Sequence, residues 1–89
     1  MHNMEELQKE LFEYVRDNTF KETKTLTSNT KLFVEGIFDS MGFVLLLEHI
    51  ENKYKISTED MDLIEENFES INAIVGFILR KNSSVVQKA

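Results

Sequence analysis

At 89 residues the chain has the length of one small domain, with a limited core to stabilise it. It has no Cys, no Pro and only 3 Gly, which removes disulfides and thiolate metal sites and favours helices over turn-rich β structure. Sixteen acidic residues against ten basic ones give a formal charge of −6, which argues against a nucleic-acid partner and for partners with basic surfaces.

The N-terminal "MHNMEELQKE" has no apolar core and no basic start, so it does not read as a signal peptide. Helical spacing begins at once: Met4, Leu7, Leu11 and Tyr14 recur among Glu, Gln, Lys and Arg, which predicts a helix over 4–15. Asn3 is a suitable N-cap, with Glu6 where a capping-box acid would reach back. The next stretch, 17–39, holds "DNTFKETKTLTSNTK" and has no clean period. It predicts a long loop, of the kind that often serves function, with "LFVEGIF" supplying apolar anchors near its end and Gly36 a turn.

A second helix is predicted from Asp39 or Ser40 to about Tyr54. Phe43, Leu46, Leu47, Ile50 and Tyr54 form its core stripe. Met41, Val44 and Leu45 lie off that stripe, on a face continued by Glu48 and Glu51, so the first turns are apolar on two sides beside Ser40. "FVLLL", the longest apolar run, is far too short to span a membrane. The expectation is a cytoplasmic, monomeric protein.

Ser57 and Asp60 suggest a capped short helix with Met61 and Ile64 pointing inward. Ser70 then suits the start of a last helix, on which Ile71, Ile74, Val75, Ile78 and Leu79 make a core stripe. Arg80 and Lys81 there complement the negative end of the dipole. "NSSVVQKA" reads as a frayed tail, leaving a compact part over 4–81 and a tail over 82–89 of one domain, 1–89. The fold class is all-α: a small bundle of three main helices and one short helix, with a long loop after the first.

Enzyme chemistry finds little support in these residues. A nucleophilic Ser needs a base, yet the two histidines are His2, at the terminus, and His49, too far along the helix from Ser40 to touch it. A metal site is equally unsupported: "DMDLIEENFE" lacks the Gly and alternating oxygens of a calcium loop and reads as a solvated acidic face. Ser40 can be a plain helix cap. Alternatively the helix start can receive an attached phosphate, with Met41, Val44 and Leu45, rimmed by Asp39, Glu48 and Glu51, as a docking surface for a partner.

The run "LFVEGIFDSMGFVLLLEHIENKYKI" resembles the core of an acyl carrier protein, or phosphopantetheine-attachment domain, of the stand-alone type. Met41 stands where Leu is common, and "EDMDLIEENFESINAIVGFI" resembles the short third helix and the fourth. The resemblance implies a non-enzymatic carrier. Ser40 would receive 4'-phosphopantetheine from coenzyme A through a phosphopantetheinyl transferase, and the arm's thiol would hold acyl groups as thioesters. It further implies that Asp39, Met41, Val44, Glu48 and Glu51 are read by partner enzymes that transfer or modify acyl groups. It makes Leu46, Leu47, Ile64, Phe68 and Ile74 candidates to line an acyl channel, with core packing the simpler role for each. Leu45 stands where carriers of primary fatty-acid synthesis often have Glu, and Asn52 and Lys53 follow Glu51. That points to a specialised fatty-acid or polyketide-like pathway. The competing reading is an unmodified helical interaction module that uses the same apolar patch.

Overall fold

The computed structural model describes residues 3–19 and 24–88, with side chains described as far as 82. Among these residues four α-helices follow one another: α1 (Met4–Asp17), α2 (Ser40–Tyr54), α3 (Glu65–Phe68) and α4 (Ile71–Lys88), with a 3-10 turn at Asp60–Asp62 before α3. The all-α architecture agrees with the sequence reading. Among the described residues no helix is long and apolar enough to cross a membrane.

Capping and amphipathic spacing account for the main helices. Asn3 Oδ1 accepts from Glu6 N–H at 2.8 Å at the start of α1. Glu6 does reach back, but to the Asn3 side-chain amide at 3.0 Å and not to its backbone. Leu7, Leu11 and Val15 from α1, Leu46, Ile50 and Tyr54 from α2, and Ile71, Ile74, Val75 and Ile78 from α4 are all buried. Phe77, off the predicted stripe, is buried too, because α4 packs against both α1 and α3. A helix enclosed on two sides needs an apolar surface wider than one stripe. Tyr54 Oη donates to Glu10 at 2.7 Å, so the deep end of α2 is tied to α1 by a charge-assisted bond.

The long loop is anchored. Leu26, Leu32 and Phe38 enter the core, and Gly36 turns the chain at a φ of 75°, where a side chain would be strained. Leu32 N–H donates to Glu69 O at 2.8 Å, and Lys31 Nζ reaches Glu69 Oε1 at 2.8 Å. A second staple runs from Gln8 through Asn72 to Asn29, with bonds of 2.7 and 2.8 Å. The loop therefore delivers Phe38 to the head of α2 in a defined position.

The C-terminal half departs from the sequence reading in several places. Glu59, not Ser57, begins the 3-10 turn, its N–H donating to Asp62 Oδ2 at 2.9 Å. Met61 and Ile64 do not point inward; they are 77% and 46% exposed. The chain leaves helical geometry at Leu63 and is extended at Ile64, so a helical spacing cannot be carried through this segment. Ser70 does cap α4, its Oγ accepting from Ala73 N–H at 3.1 Å. Arg80 and Lys81, however, do not stand at the last turn, because α4 runs on to Lys88 through the stretch expected to be a tail. No Pro or Gly interrupts that stretch, and extending an existing helix is far easier than nucleating one.

Candidate functional site

The head of α2 divides its tasks between two adjacent residues. Asp39 is extended, and its Oδ1 accepts from Gly42 N–H at 2.8 Å. Asp39 is therefore the cap, and Ser40, the first helical residue, keeps an exposed side chain. The first turn of α2 holds no acidic side chain, so the positive end of its dipole is left to Asp39 and to whatever approaches.

Ser40 stands at an open groove of about 760 Å³. Val34, Phe43, Val44, Leu63, Ile64 and Phe68 give it apolar walls, with Asp39 and Glu65 at its edges. Val34 and Leu63, which the sequence did not single out, are 74% and 43% exposed. A row of rings leads from this groove into the core. Phe33 meets Phe43 edge-on at 5.6 Å, Phe43 meets Phe68 at 5.3 Å, and Phe68 meets Phe77 at 4.9 Å. Of the candidate channel residues, Leu46 and Ile74 are fully buried in the core and Leu47 is partly buried against it. Ile64 and Phe68 face the groove.

The candidate recognition residues fare differently from one another. Met41, Val44 and Leu45 are 65%, 55% and 51% exposed, and Glu48 continues their strip into solvent. Glu51 is turned away toward the chain that follows α2. Its Oε2 accepts from the Thr58 hydroxyl at 2.6 Å and from Thr58 N–H at 2.9 Å. Those two bonds, the hydroxyl first, hold its carboxyl below the usual range against a smaller opposing effect of burial.

His49 lies in a different cleft, of about 480 Å³, with Tyr14, Leu45, Glu48 and Asn52. It stacks on Tyr14 at 4.1 Å and 19°. Burial, then the Lys53 charge, push its pKa down against an opposing pull from Glu10. His49 is thus an aromatic packing partner set apart from Ser40, and His2 falls outside the described residues. No group of three His, Cys, Asp or Glu side chains among the described residues is placed to hold a metal ion.

An exposed Ser hydroxyl, a neighbouring cap that leaves it free, and an apolar groove at its side suit a covalently tethered arm better than a reaction centre. Residues 9–78 match the family described as the phosphopantetheine attachment site. A D-alanyl carrier protein of Staphylococcus xylosus is 38% identical over 65 residues, covering 73% of this chain and 78% of that relative. The matched region runs from within α1 to Ile78 of α4, and the chain belongs to the phosphopantetheine-attachment family of carrier proteins, whose cofactor is covalently bound 4'-phosphopantetheine.

Proposed function

We propose that Ser40 is the attachment residue and that the protein presents acyl intermediates, as thioesters, to the enzymes of a specialised fatty-acid or polyketide-like biosynthetic pathway. The observation that carries this reading is the split at the head of α2: Asp39 does the capping, and the Ser40 hydroxyl is left exposed on the rim of the groove. The bound arm supplies the thiol that a Cys-free chain lacks. Backbone N–H groups and the dipole at the start of α2 favour the negative phosphodiester next to Ser40. Asp39, Met41, Val44 and Glu48 serve as the surface read by a phosphopantetheinyl transferase and by acyl-transferring partners, while Glu51 supports the end of α2. The protein works as a cytoplasmic monomer.

The D-alanyl carrier relative favours a second reading of the cargo, in which the thioester holds an aminoacyl group in place of a fatty or polyketide-like acyl group. Both readings make the same demand of Ser40. Incubation with coenzyme A and a broad-specificity phosphopantetheinyl transferase should raise the intact mass by one phosphopantetheine, and Ser40→Ala should abolish the gain. A gain that survives Ser40→Ala would rule out this attachment point. An unmodified wild-type chain would instead favour the plain interaction module. The mass of the species released by hydroxylamine from protein isolated from its host separates an aminoacyl from an acyl cargo.

A further inference from the structure

Leu63 and Ile64 form the wall of the groove beside Ser40 and are held 43% and 46% exposed. Neither belongs to the buried core, so core packing does not fix this stretch and its position depends on the ties of the residues on either side. The ties are polar and come from one turn of α4. Lys81 Nζ donates to Asp62 Oδ2 at 2.9 Å, on the residue just before Leu63. Arg80 Nη2 donates to Asn67 Oδ1 at 2.7 Å, three residues after Ile64. Inside this bracket, Asp62 O accepts from Ile64 N–H at 2.9 Å and from Asn67 Nδ2 at 2.8 Å. The Lys81 and Asp62 side chains are only 23% and 18% exposed, which limits the screening that weakens surface pairs.

We infer that the Lys81–Asp62 and Arg80–Asn67 contacts form a clamp that positions the Leu63–Ile64 wall, and so determines how well an acyl chain next to Ser40 is covered. This rests on the reading that Ser40 bears the arm. The residues act through the wall: none of the four lines the groove, whereas Leu63 and Ile64 do. The buried Phe68 holds the far end of the segment whether or not the clamp is made, so releasing the clamp should loosen the wall and leave the bundle folded.

The experiment compares full-length protein carrying acetyl or octanoyl on the arm. Neutral hydroxylamine attacks the thioester carbonyl, the C–S bond breaks, and hydroxamate and free thiol form. In the wild type the octanoyl thioester should be cleaved more slowly than the acetyl one. Lys81→Gln and Arg80→Gln should each narrow that difference, by about threefold, as loss of a partly exposed charged contact allows, and Lys81→Arg should keep it. The inference is overturned by an octanoyl-to-acetyl ratio that Lys81→Gln and Arg80→Gln leave unchanged, by equal cleavage of both in the wild type, or by variants that speed both acyl groups alike. Failure of the underlying reading shows earlier and separately, as protein that never gains the arm on Ser40.

Discussion

A Cβ at Gly42 would stand 3.0 Å from Phe38 Cδ1 and 3.2 Å from Phe38 Cβ. The ring that ends the long loop thus lies directly on the helix backbone, one turn from Asp39 and Ser40. Alanine at this position should gain helix propensity of about 1 kcal/mol. It must also displace a buried ring, and overpacking of this kind costs about 1–3 kcal/mol. Because Phe38 precedes the cap directly, the displacement reaches Ser40, the proposed attachment point. Gly42→Ala should therefore leave stability level or reduce it by up to about 2 kcal/mol in urea unfolding, and lower kcat/KM for phosphopantetheinylation severalfold. A variant that is more stable and modified at the wild-type rate would show the contact to be slack. At this scale the sequence exposes Asp39 and Ser40, whose pairing at the head of an apolar helix is visible in the letters. It cannot expose the contact of Gly42 with Phe38, which depends on where the loop sets a ring.

At the scale of elements, α2 ends without a glycine: Lys55 takes the left-handed conformation, at a φ of 57°. For a residue with a Cβ this costs about 1 kcal/mol. The bonds from Thr58 to Glu51 help to hold the reversed chain there. Glu51→Gln should reduce stability at neutral pH by about 1 kcal/mol, since it weakens bonds to a charged acceptor. The folded-state pKa of Glu51 lies below its ordinary value. Its contribution is therefore complete above the unfolded value of about 4.3 and fades as pH falls through the lower folded value. Urea unfolding should show the wild type and Glu51→Gln converging below about pH 4. A gap that stays constant down to pH 2 would mean that the carboxylate charge plays no part. Helices with one buried stripe were legible from spacing. The segment from Glu59 to Phe68 was not, because its backbone leaves the helix at Leu63 and Ile64 and the period restarts. Nor can spacing tell whether Arg80 and Lys81 complement a dipole or cross to Asn67 and Asp62. That depends on the position of a neighbour brought close by the fold.

For the molecule as a whole, the charge of −6 bears on encounter more than on fold. The exposed strip from Met41 to Glu48 combines apolar side chains with one free carboxylate, so a docking partner gains from both burial and charge. The two contributions respond differently to salt. Exposed charges are screened over about 10 Å at 0.1 M ionic strength, whereas apolar contact is not weakened in this way. For a phosphopantetheinyl transferase acting on the full chain, KM should rise severalfold as salt increases from about 50 to 500 mM, with kcat little changed. Glu48→Lys should raise KM at low salt and flatten its salt dependence. Met41→Ser should raise KM while leaving the salt slope as in the wild type. Glu51 is left intact here because its bonds to Thr58 would mix a folding effect into the result. If Glu48→Lys leaves both KM and its salt slope unchanged while Met41→Ser weakens docking, the partner reads the apolar strip alone. If neither changes KM, this face of α2 is not the docking surface for that enzyme.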